Sequence, residues 1–447
     1  MGFKFISLTL NKFGIDGAIV FTIIARSIQA LSGLLNIFLI SLFLTKEEQG
    51  YYYTFGSIAA LQIFFELGLN NIIIQYTAHE YAIIKLENIN CNIHKSRLSS
   101  LLRFCIKYFF IFSFILLFVL LFFGNYFFNH FSSNNLKINW TGPWFILSLG
   151  TALLLFLNPL LALFEGIGLV KTIAKVKVIQ QLSIILMSSF ILYNKGGLWS
   201  LGFSSMISSL VVIIFLLLSK YRNILLNIYK DLDEWKMNYW QEIFPFQYKI
   251  ALSWISGYFI FQLFNPVLFA NDGPIIAGQM GMSIAVLNGI AALSMSWIIT
   301  KVPLFSELIA KREFDKLDII FNRTVKQMMF IGFSIIIFFI ITIYLLEFYN
   351  FHFADKLLSI NYLILLSMVT MVNQLVFSWA TYLRCHKKEP FLINSIVGGL
   401  LMSFSTIYLG NIYGINGVVY GYTVLTLFIG LPWAYLIFKK SRVEWHI

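Results

Sequence analysis

The sequence predicts an all-α polytopic membrane protein of about twelve transmembrane helices. Three observations carry that expectation. Of the 447 residues, 59% are hydrophobic and only 12% charged, whereas soluble domains run at about half apolar and a quarter charged. Mean hydropathy is +0.80. The apolar residues also form continuous runs of spanning length, without the alternation of a transmembrane β-barrel. This composition argues against a water-soluble enzyme, a disordered chain, a collagen and a disulfide-rich secreted module.

The spans are placed as follows. The first, about 18–44, follows Lys4 and Lys12. It is too long for a signal-peptide core and lacks a small-residue cleavage site, so it is expected to remain as the first span. The second, about 51–78, carries Glu66, and the third, about 104–128, is rich in Phe and Leu. The fourth, about 142–165, contains Asn158-Pro159; the fifth, about 173–193, opens beside Lys171, Lys175 and Lys177; the sixth is about 198–219. In the second half, 248–271 contains Asn265-Pro266, and 277–302 ends at Lys301 ahead of Pro303. The remaining runs are about 327–350, 357–383, 390–410 and 417–438. Bare backbone cannot sit in hydrocarbon, so each run is expected to be helical.

The charge pattern fixes the expected orientation. With the N-terminus inside, 27 of the 32 Lys and Arg residues fall at the cytoplasmic segments. Four (Lys46, Lys137, Lys195, Lys356) fall in outer loops, and Arg26 lies within the first span. This is the positive-inside bias of a chain with both termini cytoplasmic, and it accounts for the net charge of +12 without a nucleic-acid partner. Cys91, Cys105 and Cys385 lie on or near the inner side, where thiols stay reduced. The chain divides into an N-terminal six-helix half (1–220), a cytoplasmic linker (221–247) and a C-terminal six-helix half (248–447). Trp235, Tyr239, Trp240 and Phe244 suggest that the linker forms an amphipathic helix on the inner surface. Weak repeat matches relate the halves: Ala162 to Ala380, Gly202 to Gly421 and Gly50 to Gly278.

Polar residues at mid-depth are the candidate functional groups, because ionisable side chains there usually face a cavity or a partner. Arg26 and Glu66 stand out, at similar depth on adjacent helices. Two readings of Arg26 remain open. It is either half of a structural ion pair with Glu66 or a snorkelling cation, or it is an anchor for an anionic head group, a task that suits the planar guanidinium. Glu66 is its counter-ion or a coupling group. Gln29, Gln62 and Asn70 lie close by in sequence, with Asn288, Asn373, Gln374 and Asn394 in the second half. Such amides either hydrogen-bond neighbouring helices or line a sugar-handling cavity. Trp254, Tyr258, Trp297 and Trp379 offer flat faces for sugar rings, Lys301 a cation at the inner mouth, and Pro159 and Pro266 candidate hinges. No nucleotide-binding phosphate loop, paired carboxylates, histidine cluster or nucleophile elbow occurs, so neither an enzyme nor a metal centre nor a bound cofactor is expected. Proton or sodium coupling is left open.

Several segments resemble bacterial polysaccharide-biosynthesis membrane proteins, the Wzx-like flippases of the multidrug/oligosaccharidyl-lipid/polysaccharide exporter superfamily. They are LTKEEQGYYYTFGSIAALQIFFELGLNNIIIQYTAHE (44–80), AGQMGMS (277–283), SWIITKVPLFSELIAKREFDKLD (296–318), ATYLRCHKKEPF (380–391) and GLPWAYLIF (430–438). The resemblance implies two six-helix bundles around a central cavity. It implies movement of an undecaprenyl-diphosphate-linked oligosaccharide from the inner to the outer leaflet of the bacterial cytoplasmic membrane, for O-antigen or similar surface polysaccharide. Membrane lipids and a polysaccharide polymerase are the implied partners, and Arg26 is the position matching the cavity arginines of such flippases. The rivals are a cation or drug antiporter of the same superfamily, a membrane glycan polymerase or transferase, and a peptide or amino-acid transporter. An antiporter is expected to carry an acid in the first or seventh span, and neither has one.

Overall fold

In the computed structural model, residues 32–86, 91–131, 138–351, 353–386 and 388–445 are described, and among them the chain is helical with no strands. The helices are α1 (Ser32–Phe43), α2 (Lys46–Ala59), α3 (Ile63–Glu66), α4 (Leu69–Leu86), α5 (Cys91–Phe131), α6 (Thr141–Gly166), α7 (Val170–Tyr193), α8 (Trp199–Leu217) and α9 (Ser219–Lys230). They continue with α10 (Phe244–Phe261), α11 (Phe264–Asn271), α12 (Pro274–Ile299), α13 (Val302–Ala310), α14 (Phe314–Phe348), α15 (Ile360–Cys385), α16 (Leu392–Val424) and α17 (Leu431–Trp445).

Ten segments among the described residues are long and apolar enough to cross a membrane. Most of the expected first span lies outside the described residues, which leaves the short apolar α1. The last segment, Leu392–Trp445, has 54 residues. A straight helix of that length would measure about 81 Å, far beyond a hydrocarbon core of about 30 Å. It folds back at Gly414, whose φ of 54° and ψ of −135° leave the helical region. The turn closes when the Ile415 amide donates to Asp272 Oδ2 at 2.7 Å. The chain is thus a multi-pass membrane protein.

The helices gather into two compact units. Among the described residues, the first holds 32–39, 59–130 and 138–254, and the second holds 40–58, Phe131 and 255–445. The hairpin 40–58, placed in the N-terminal half by sequence order, thus clusters with the second unit.

In the first unit α6 packs against α4 and α8, and α8 against α7. Small residues let backbones approach: a Cβ at Gly150 would sit 2.1 Å from Ser205 Oγ. Trp144 is fully buried and donates from Nε1 to the Leu120 carbonyl at 3.1 Å. Pro159 is buried within α6, which continues past it to Gly166. The linker differs from a single amphipathic helix. It is helical only at α9, extends over 231–238, and re-forms as a π-helical turn at Tyr239–Ile243. The reason is local competition for backbone groups. Ser96 Oγ donates to the Trp235 carbonyl (2.7 Å) and accepts from the Asp233 amide (2.8 Å). Ser100 Oγ accepts from the Met237 amide at 3.3 Å, so α5 provides the partners a helix would have used. Trp235 and Trp240 are exposed. Tyr239 instead stacks on Phe104 at 5.0 Å.

An ion cluster fastens this linker to α4 and α5. Glu80 is buried and holds His94 Nδ1 (2.6 Å) and Arg97 Nε (3.1 Å). Arg97 Nη2 also pairs with Glu242 Oε2, which accepts from the Tyr76 hydroxyl at 2.9 Å. Burial pushes the Glu242 carboxyl up. The Asn238 amide, the Tyr76 hydroxyl and the Arg97 guanidinium outweigh that and hold it below the usual carboxylate range.

In the second unit α12 packs with α11, α14 and α15, and α17 closes on α15. An aromatic core of Phe305, Phe321, Trp379, Tyr382 and Phe438 fills one end. Beside it Asp318 accepts from the Tyr382 hydroxyl (2.6 Å) and from Arg442 Nε (2.9 Å), joining α14, α15 and α17. The hairpin 40–58 is clasped from the other end. Lys356 Nζ donates to the Ser41 carbonyl at 2.6 Å and to the Leu44 carbonyl, placing a cation at the C-terminal end of α1. Burial lowers the Lys356 ammonium pKa. Gln49 Nε2 donates to the carbonyls of Gly278 and Lys356, each at 2.9 Å. Gly50 and Gly278, related by the weak repeat, meet here: a Cβ on Gly278 would lie 2.7 Å from the Gly50 nitrogen.

Two outcomes follow from these contacts. Lys356→Met should lower the unfolding temperature in detergent by the equivalent of about 1–3 kcal/mol, because two buried carbonyls lose a charged donor. A scan showing no change would place the clasp's energy elsewhere. For Glu242, a folded pKa held down means that its stabilisation is complete above the ordinary carboxylate range and is lost as pH falls from that range through the lowered folded pKa. Wild type should therefore unfold at a higher temperature than Glu242→Gln at neutral pH, and the gap should close on acidification. A pH-independent gap would contradict this account.

Candidate functional site

Arg26 and Gln29 lie outside the described residues. The second span, which carries Gln62, Glu66 and Asn70, is not one helix. After α2 the chain tightens into a 3₁₀ turn at Ala60–Gln62, makes the single α-turn of α3, and breaks at Leu67 (φ 50°) and Gly68 (φ 69°) before α4 begins. Glycine adopts this left-handed conformation freely, but leucine does so only under strain. The break is pinned from outside. A Cβ on Gly68 would lie 2.3 Å from Ile250 Cγ2, with Trp254 also beside it. The freed Phe65 carbonyl accepts from the Tyr108 hydroxyl at 3.3 Å, while the Leu67 amide still reaches the Ile63 carbonyl at 3.0 Å.

Glu66 is the last residue before this break. Its Oε1 accepts from Asn70 Nδ2 at 2.8 Å, across the discontinuity. Asn70 Oδ1 is buried and has no hydrogen-bond partner among the described residues. A carboxylate, an unsatisfied amide oxygen and a strained turn thus coincide within a membrane span, where each is costly alone. Interrupted spans with polar groups at the interruption are the usual setting for transporter binding sites. The first unit brings together Glu66, Asn70 and the sequence-predicted Trp254, with Gln62 half-buried one turn before Glu66.

Apart from Pro159 in α6, the other predicted residues lie in the second unit. Tyr258 is buried, and its hydroxyl donates to the Ser57 carbonyl at 3.3 Å, so it serves packing of the hairpin. Pro266 falls in the first turn of α11, after a break in the seventh span at Gln262–Leu263, where proline is compatible with the helix. Asn265 Nδ2 donates to Ser57 Oγ at 3.0 Å. Trp297 is partly exposed on α12. Lys301 is exposed at the step between α12 and α13, the eighth span's own interruption.

The second unit also holds a cavity of about 60 Å³ between α11, α12, α15 and α16. Its polar lining is Asn288, Thr370, Asn373, Gln374 and Tyr422, with no carboxylate among the lining residues. Asn373 Nδ2 donates to the Tyr422 hydroxyl at 2.9 Å. Gln374 is buried, and its Oε1 accepts from Ser294 Oγ at 2.6 Å. The amides were visible in the sequence as interruptions of apolar runs. Thr370 and Tyr422 carried no such signal, because both residue types are ordinary in a span. A wider open cleft, about 700 Å³, lies between α13 and the end of α15. Its Arg384 is engaged by Glu389 at 2.8 Å and 3.0 Å.

No family model matches the chain, and no curated protein does. Solved structures do match over nearly the full length. A multidrug resistance MATE family transporter of the MOP superfamily, in an inward-facing conformation, superposes with a TM-score of 0.66 at 15% identity, covering 94% of this chain and 99% of that one. The lipid II flippase MurJ, in an inward closed conformation, gives 0.59 at 16% identity, covering 96% and 90%. A MOP superfamily transporter from Pyrococcus furiosus, described as having a binding pocket of reversed polarity, gives 0.53 at 15% identity, covering 95% and 94%. At these identities the likeness establishes the fold: two helical bundles of the kind found in membrane transporters and flippases.

The geometry at the break sets an expected outcome. Gly68→Ala should destabilise the protein by about 1–2 kcal/mol, because it adds a left-handed penalty and a collision with Ile250. Adding Ile250→Ala should recover only the collision. Thermal unfolding of the single and double variants measures both, and an Ala variant as stable as wild type would show that the break relaxes.

Proposed function

We propose that the chain is a flippase. It moves an undecaprenyl-diphosphate-linked oligosaccharide from the cytoplasmic to the outer leaflet of a bacterial inner membrane by alternating access, for synthesis of a surface polysaccharide such as O-antigen. The observation that carries this reading is the chemistry of the cavity in the second unit: amides, hydroxyls and aromatic rings, with no acid in the lining. Those groups suit a neutral, hydroxylated cargo, and the first and seventh spans lack the acid expected of a cation exporter. The fold supports the reading, because it is shared by proteins described as a lipid II flippase and as multidrug transporters.

The roles follow from the task. A diphosphate cannot cross hydrocarbon without compensating charge. Arg26 supplies it as the bidentate anchor, with Gln29, Gln62 and Asn70 adding hydrogen bonds and Lys301 meeting the cargo at the cytoplasmic mouth. Glu66, at the broken span, is the counter-ion of Arg26 or the proton-binding group of a gradient-coupled cycle. Trp254 and Trp297 present rings for sugar faces.

The test uses the purified protein in vesicles loaded with a fluorescent polyprenyl-diphosphate oligosaccharide on one leaflet. Wild type should equilibrate the label between leaflets. Arg26→Ala should insert normally and lose transport. Full transport by that variant refutes the diphosphate role, and no transport by wild type refutes the flippase reading.

A further inference from the structure

The cavity between α11, α12, α15 and α16 has a more specific chemistry than a general polar lining. Gln374 is 1% exposed. With Oε1 occupied by Ser294, its Nε2 is buried and has no partner among the described residues. An unsatisfied buried amide is costly unless something occupies the space beside it. Two other polar groups there are engaged, since Asn373 donates to Tyr422 and Thr370 Oγ1 donates to the Leu366 carbonyl at 2.7 Å, while Asn288 is exposed. Phe264, Leu287 and Leu366, all buried, make the rest of the wall apolar.

The lining therefore favours an uncharged, two-faced occupant. An orphan N–H donor disfavours a cation, and neutral amides and hydroxyls do not compensate the charge of a buried anion. The volume of about 60 Å³ exceeds what one water needs and leaves room for a planar group carrying one carbonyl and one methyl. At the cavity's edge Phe261 and Phe377 are 37% and 45% exposed, with ring centroids 6.2 Å apart. Such rings pack against the apolar face of a pyranose.

We propose that this cavity is a subsite for the acetamido group of an N-acetylated amino sugar. The acetamido carbonyl accepts from Gln374, its methyl meets Phe264, Leu287 and Leu366, and the sugar ring rests on Phe261 and Phe377. Turning the Gln374 amide over exchanges donor and acceptor, and an acetamido group satisfies either arrangement because it carries both an N–H and a C=O. The inference rests on the carbohydrate cargo proposed above and names its sugar class.

The test is saturation-transfer NMR on the intact protein in nanodiscs, with N-acetylglucosamine, glucosamine and glucose as probes. The acetamido methyl of N-acetylglucosamine should receive the strongest transfer, with little to the other two sugars. Gln374→Leu removes the buried orphan and keeps the volume, so it should fold at least as well as wild type. It should weaken N-acetylglucosamine binding about fivefold or more, the worth of one hydrogen bond. Ala291→Leu fills the cavity from α12 and should abolish the methyl signal, giving a second variant should the first misfold. Equal transfer to all three sugars, or a methyl signal unchanged in both variants, overturns the subsite and indicates a cavity holding water alone. Methyl transfer that persists in a protein inactive in the vesicle assay keeps the subsite and removes the flippase.

Discussion

In hydrocarbon every backbone amide and carbonyl must find its partner inside the protein. The rest of this structure depends on how that requirement is met where helices stop. Between the stops it is met automatically by the helix itself. At Leu67–Gly68 the freed Phe65 carbonyl takes the Tyr108 hydroxyl. At Gly414 the Asp272 carboxylate takes the Ile415 amide. At the end of α1 the Lys356 ammonium takes the last carbonyls. Each stop is held by a side chain distant in sequence, so the tertiary contacts decide where the helices end.

Several charged residues away from the break act as fasteners. Glu80, Arg97 and Glu242 tie the linker to α4 and α5, and Asp318 ties α14 to α15 and α17. Burying such ions is worthwhile only when each has a partner, and these do. Glu66 is different. Its described partner is one neutral amide from its own span, and it sits where the backbone is strained. This contrast, paired ions in the scaffold and an acid with one neutral described partner at an interrupted span, sets the break apart from the rest of the described structure.

The two units differ in the chemistry they enclose. The first holds the acidic break with Glu66 and Asn70. The second holds a cavity lined by amides, hydroxyls and aromatic rings, with no carboxylate among the lining residues.

Composition and hydropathy by themselves determined that this chain is all-helical and crosses the membrane many times, because both are sums over local residues and need no knowledge of neighbours. Glu66 was also legible, since a carboxylate within an apolar run is conspicuous wherever the run folds. The sequence did not show that the second span snaps just after it, because that depends on Ile250 and Trp254 pressing on Gly68. Nor did it show that the linker would abandon a helix for the serines of α5, or that Tyr258 would spend its hydroxyl on Ser57. Residues 40–58 joined the second unit through Lys356 and through backbone contact between Gly50 and Gly278. Hydrogen-bond competition and close packing are pairwise and long-range, so only the folded chain could decide them.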